Sequence, residues 1–214
     1  MPLNFLLKST KLSTYMTVKN ILPFLGRKLW SNSYNTRIMN KYVWIDLEMT
    51  GLDPNTDTIL EVACLVTAPD MKPLDAGVNL VLHQEKRVLD SMNEWCMEHH
   101  TESGLVEACK ASNITLPEAE AIVYKYILGH SSKAGRNYLA GNSVYTDLLF
   151  LKKYMPSVAS TLHYRILDIS SIKIIATDWF GTNVQIKKKK THRSLDDIKE
   201  SIQELQNYRR TIFK

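Results

Sequence analysis

Asp46-Leu47-Glu48 places two carboxylates two residues apart at the end of Tyr42–Glu48, a run of β-branched and aromatic residues. Side chains alternate along a strand, so Asp46 and Glu48 share a face with Trp44 while Val43, Ile45 and Leu47 take the other. Like charges held side by side on an apolar strand are costly unless a cation sits between them. A strand end can also project past its sheet into water, where the pair needs no cation. The spacing alone leaves both readings open.

Two further segments carry chemistry. In Val144–Tyr154 a helix turns Val144, Leu148 and Leu151 inward, and Asp147 falls between the first and third of these, at the rim of the buried stripe. A first-turn acid favoured by the helix dipole explains Asp147 equally well. Asn142-Ser143 supplies N-cap residues for that helix. In His192-Arg193-Ser194-Leu195-Asp196-Asp197, Ser194 and Asp197 have capping-box spacing, which gives Asp197 an alternative role. His192 lies on the incoming loop, so an imidazole and the Asp197 carboxylate can share one pocket. Asp46, Glu48, Asp147 and Asp197 together would neutralise two divalent cations. Oxygen donors suit Mg²⁺ or Mn²⁺, and water held by such ions ionises readily for attack on a phosphodiester. His192, with a reference pKa of about 6.5, is suited to take that proton. Cys64, Cys96 and Cys109 sit among apolar residues without C-x-x-C spacing, which argues for reduced core thiols and against zinc.

These residues need a scaffold of strands with covering helices. Tyr42–Glu48, Ile59–Thr67 and Val78–Leu82 read as strands separated by turn signals. Helices are predicted over Asp90–His99, Ser103–Lys110 and Leu116–Leu128, the last packing Ala121, Val123, Tyr124 and Ile127. A strand over Tyr138–Asn142, the helix Val144–Tyr154, a fifth strand over Tyr164–Asp168, a helix to about Trp179 and a closing helix Ser194–Arg210 complete an α/β layered domain.

Of 214 residues 27 are basic and 22 acidic, but seven of the basic ones precede Asp46, the first acid. The other 20 face all 22 acids, so the folded body is mildly acidic and offers no long basic track for polynucleotide. Residues 1–40 contain no acid and interleave Ser, Thr, Lys and Arg with apolar residues, as a mitochondrial presequence does; residues 41–214 form the domain. Met39 could start a leaderless, cytosolic form. No apolar run reaches the length of a membrane span. Lys187–Lys190 reads as a solvated loop, with attraction of RNA ends as the sharper alternative. Trp44 and Trp179 read as core, His83 and His130 as surface, His99 as a helix-flanking residue, and Glu61 is assigned no role.

Asp46-Leu47-Glu48-Met49-Thr50-Gly51-Leu52, Ala140-Gly141-Asn142-Ser143-Val144 with Asp147, His163-Tyr164-Arg165, and His192 through Ile198 together resemble the oligoribonuclease branch of the DEDDh 3′-to-5′ exonucleases. Ser91–Cys96 and Glu98-His99-His100 extend the match, which runs from about Val43 to the C-terminus. The resemblance implies a ribonuclease-H-like α/β fold, a five-stranded mixed sheet with helices on both faces. It implies that Asp46, Glu48, Asp147 and Asp197 hold two Mg²⁺ or Mn²⁺ ions, with His192 as general base. It further implies a homodimer, with Tyr164 contributed near the site across it, that cleaves two- to five-nucleotide RNAs to mononucleotides in mitochondria (matrix or intermembrane space). Leu52 would wedge against a base and Trp95 stack on one; Ser143, Arg165 and Ser170 would cap the 5′-phosphate, with His100 close by. Two other readings remain in view: a DEDDh exonuclease trimming longer RNA or DNA ends, and a nucleotide-binding module without catalysis.

Overall fold

Strand β1 (Lys41–Met49) lies at the centre of a five-stranded sheet because its neighbours cover both its edges and both its faces. The computed structural model describes residues 40–132, 135–182, 186 and 193–213. Residues 1–39 of the expected presequence, Lys187–Lys190 and His192 lie outside the described residues. β2 (Ile59–Thr67) pairs antiparallel with β1 and β3 (Val78–Val81) antiparallel with β2. On the other edge of β1, β4 (Asn137–Gly141) and β5 (Leu167–Asp168) pair in parallel, giving the order β3-β2-β1-β4-β5.

Helices follow as α1 (Lys86–Leu89), α2 (Glu94–Glu102), α3 (Leu105–Ala111), α4 (Leu116–His130), α5 (Tyr145–Tyr154), α6 (Pro156–Ser160), α7 (Ile169–Phe180) and α8 (Ser194–Thr211). All nine residues of β2 are buried, as expected of a strand covered on both faces. On one face Val43, Ile45 and Leu47 pack with Val123 and Ile127 of α4 and Phe150 and Leu151 of α5. On the other, Trp44, Ala63 and Leu65 pack with Ile169 and Ala176 of α7 and Ile198, Ile202 and Tyr208 of α8. The alternation read in Tyr42–Glu48 therefore holds, and the mixed sheet with helices on both faces is present. No helix of the described residues is long and apolar enough to cross a membrane.

Several local expectations are corrected. The helix predicted over Asp90–His99 starts later, as α2 at Glu94, and the short α1 lies wholly before the predicted range. Asn93 accepts from the Cys96 amide at 2.9 Å and starts α2, so Asp90–Met92 becomes the turn between them. The predicted strand Tyr164–Asp168 shrinks to two residues, because β5 pairs only with Ala140 and Gly141 at the end of β4. Ala121 faces solvent, and Ala119 takes its place in the core. Trp179 is 73% exposed, whereas Trp44 is buried with its indole N–H on Thr67.

Candidate active site

The partner strand of β1 gives out where the carboxylates begin. β4 pairs with β1 only as far as Trp44, and after Gly141 the chain turns into α5. Further along that open edge the Leu47 amide donates to Asp147 Oδ1 at 2.9 Å, so Asp147 completes the ladder with a side chain. Asp147 is buried, not a solvated first-turn acid. The turn between β4 and α5 carries Ser143 at φ 51°, a left-handed conformation unusual for a residue with a side chain. Asn142 and Ser143 do not cap α5 with their side chains: the N-cap is Val144, while Asn142 donates to Ser201 Oγ at 2.6 Å.

From the far side α8 delivers Asp197. One carboxylate oxygen each from Asp46, Glu48 and Asp197 lies within 4.8 Å of the others. The predicted capping box does not form; Arg193 is the N-cap, with no side-chain capping bond, and the Asp197 carboxylate turns toward β1 instead. Burial, then Asp147, Glu48 and Asp197 in that order, hold the Asp46 carboxyl well above the usual range. Burial, followed by the charges of Asp197, Glu61 and Asp147, pushes Glu48 up to about 8, and the Arg193 guanidinium pulls it partly back. Burial also raises Asp147, against the hydrogen bond from Leu47. Asp46, Glu48 and Asp197, the first two raised by burial and neighbouring negative charge, form an oxygen-only donor set that fits a hard divalent cation. His192, the predicted base, is outside the described residues.

A cavity of about 420 Å³ opens beside Glu48, with Leu52, Trp95 and His100 in its lining. It brings together three of the residues assigned to substrate. Trp95 is 56% exposed and stacks on His99, ring centroids 4.0 Å apart, so one indole face rests on an imidazole. His99 Nδ1 also meets the Trp95 carbonyl at 2.8 Å. The His100 ring is buried, with Nε2 on the Met49 carbonyl at 2.9 Å and Nδ1 3.8 Å from Glu48. Leu52 sits at a loop tip tied back by Asp57, which accepts from Thr50 Oγ1 and the Asp53 amide, each at 3.0 Å. A Cβ at Gly51 would lie 2.5 Å from that carboxylate and would displace it.

Ser143 and Ser170 meet at the ends of β4 and β5. The Ser143 amide donates to Ser170 Oγ at 3.0 Å and to Asp168 Oδ1 at 3.1 Å. Tyr164 and Arg165 stay outside this group. Tyr164 is 76% exposed with the Arg165 guanidinium 5.0 Å from its ring centre, and among the described residues neither forms a hydrogen bond or ion pair with the acids. His83 is exposed as read, whereas His130 is partly buried with Nε2 3.1 Å from Asp75.

Glu61, assigned no role from sequence, is fully buried, stands directly across the strand pair from Glu48 and grips Arg193. The signal was an acid within a nine-residue run that is otherwise apolar but for its last residue. Its partner is 132 residues away and carries no mark of the pairing.

A family model described as Exonuclease, of the RNase T type, matches residues 43–205. A probable oligoribonuclease of Dictyostelium discoideum is 46% identical over 186 residues, covering 85% of this chain and 97% of its own. The human protein named "Oligoribonuclease, mitochondrial" is 48% identical over 176 residues, 81% of this chain and 74% of its own. Among solved structures, an exonuclease I of Methylocaldum szegediense superposes with a TM-score of 0.63 at 14% identity. That match covers 82% of this chain and 41% of the other, so the chain spans about two fifths of that structure, and the likeness is one of ribonuclease-H-like fold.

Proposed function

The chain belongs to the exonuclease family and to its oligoribonuclease branch, a 3′-to-5′ exoribonuclease, and from that premise we propose how its residues act on RNAs of two to five nucleotides. The observation that carries the reading is the trio Asp46, Glu48 and Asp197, braced by Asp147 and adjoining a cavity that Glu48 shares with Leu52 and Trp95.

Asp46, Glu48 and Asp197, with Asp147 beside them, would hold two divalent cations, Mg²⁺ or Mn²⁺. Bound there, such ions supply Lewis acidity toward the phosphodiester and a more acidic water. Asp147 keeps the end of β1 in line through the Leu47 amide, so Asp46 and Glu48 stay aimed at Asp197. His192, two residues before the helix that bears Asp197, takes the proton from the attacking water. Trp95 offers its exposed indole to a base and Leu52 wedges against the neighbouring one, contacts that read no sequence because every base has a π-face. Ser143 and Ser170 close the 5′ end around a terminal phosphate, with Arg165 and His100 as the further candidate contacts to it. A short RNA is gripped at both ends by such an arrangement, whereas a long one has no basic track to follow.

Tyr164 and the outer face of α7, with Ile174 at 62% and Trp179 at 73% exposure, support a homodimer that covers these residues and brings Tyr164 toward the second site. The acid-free leader, together with the name of the human relative, supports a mitochondrial location.

The test is turnover of 5′-labelled RNAs of two, five and twenty nucleotides with Mg²⁺, by the full chain and by Asp147→Ala. Fast loss of the dimer, slow loss of the twenty-mer and an inactive variant support the reading. Equal trimming of the twenty-mer would leave the metal cage standing and replace the substrate class with longer 3′ ends.

A further inference from the structure

We infer that Glu61 and Arg193 are positioning residues that set the first turn of α8, and through it the Asp197 carboxylate, against β1. The inference rests on the metal-cage reading above. Both oxygens of Glu61 accept from Arg193 Nε, at 3.3 and 3.2 Å, and Oε1 accepts from Nη2 at 2.9 Å. Glu61 also accepts from Asn79 Nδ2 at 3.0 Å and from the Ser194 amide at 3.4 Å. The strand thus holds the side chain of the N-cap residue and the amide of the first helical residue together.

Arg193 carries the constraint onward. Its carbonyl accepts from the amides of Asp196 at 2.9 Å and Asp197 at 3.1 Å, so the residue that grips Glu61 is also the first hydrogen-bonded rung under Asp197. α8 has no side-chain cap at this end, and the Glu61–Arg193 contact takes over the fixing of its entry. The location argues against a role in stability alone. A buried ion pair contributes little net stability compared with apolar residues of the same volume. This one also places Glu61 directly opposite Glu48, where like charges repel. The unfavourable placement brings a rigid two-pronged tie between β2 and the helix that supplies the third carboxylate of the trio, and Arg193 directly follows His192 in the chain.

The test is Mn²⁺ binding, followed by electron paramagnetic resonance at a temperature where each protein is folded by near-ultraviolet circular dichroism. It compares wild type, Glu61→Gln and Arg193→Lys. Glu61→Gln removes a charge, while Arg193→Lys keeps the charge and gives up the fork. Both should bind Mn²⁺ about tenfold or more weakly, as loss of partners that orient metal ligands commonly causes. Both should lower kcat on a dinucleotide while KM stays within about twofold. Wild-type affinity in Arg193→Lys would reduce the pair to a through-space charge and overturn the inference, as would undiminished affinity in Glu61→Gln. Should Glu61→Gln not fold, Arg193→Lys decides alone, because its side chain is about one-third exposed and its charge is kept. If wild type itself binds no Mn²⁺, the metal-cage reading is what fails.

Discussion

The amide of Leu47 donates to the carboxylate of Asp147 at 2.9 Å, across 100 residues of sequence. A helix side chain thus stands in for a missing strand at the point where β1 presents its two acids. The bond and the charge of Asp147 can be separated. Asp147→Asn keeps an acceptor for Leu47 and removes a charge that raises Asp46. Without metal it should unfold at higher denaturant than wild type and be inactive with metal. Asp147→Ala strands the buried amide and should fall below Asp147→Asn by about 1–3 kcal/mol. Urea melts in chelator measure both.

The carboxylate cluster makes stability depend on pH and metal together. Glu48 is raised from 4.5 to about 8 and Asp46 is raised as well, so the folded chain binds more protons than the unfolded one across that window. Its contribution is then to destabilise progressively as pH rises toward 8, and a cation that favours the ionised forms offsets this. Thermal midpoints in chelator should decline from about pH 5 to about pH 8, with Mn²⁺ raising the midpoint more at the upper end. An equal metal effect at both ends would mean that the acids are already ionised without metal.

Trp95 and Leu52 are exposed and carry little of the core. Trp95→Ala should raise KM for a dinucleotide by roughly 5- to 150-fold, the equivalent of about 1–3 kcal/mol of stacking, with the melting temperature nearly unchanged. Leu52→Ala should raise KM less. Steady-state kinetics beside a thermal melt distinguishes this from a folding defect.

Asp75 belongs to a separate network far along the sheet. The Tyr126 hydroxyl donates to it at 2.7 Å, and with the Gly77 amide and His130 it holds the Asp75 carboxyl below its ordinary range. A depressed carboxylate stabilises fully above its unfolded pKa and loses that contribution as pH falls through the folded value. Tyr126→Phe should therefore melt below wild type at neutral pH, the gap narrowing as pH drops below about 4. A gap independent of pH would assign the whole effect to the Val66 amide, which also donates to that hydroxyl.

Trp179 on the exposed face of α7 tests the dimer. Trp179→Glu should leave the fold intact and shift the mass measured by light scattering from two chains to one, with activity falling as Tyr164 loses the second site. A wild-type chain that is already monomeric at micromolar concentration would remove the dimer from the mechanism.

Composition, periodicity and local motifs were enough for the α/β layering, the alternation of β1, nearly all of β2 and β4, and the candidacy of Asp46, Glu48, Asp147 and Asp197. Each of these depends on neighbours in the chain: a period of two, a period of 3.6, or a carboxylate out of place on an apolar run. Tertiary structure decided the rest. Whether Asp147 and Asp197 were ordinary first-turn and capping acids turned on where β4 stops and how α8 enters, which leave Asp147 buried on the Leu47 amide and Asp197 beside Asp46 and Glu48, through contacts between residues far apart in the chain. Glu61 is the clearest case. Its burial shows faintly in an apolar strand, but nothing in the chain near it names Arg193, because an ion pair is chosen by the packing of two elements and not by the spacing within either. Trp179 shows the converse, an apolar residue whose place on the outside was set by which side of α7 the sheet had already covered.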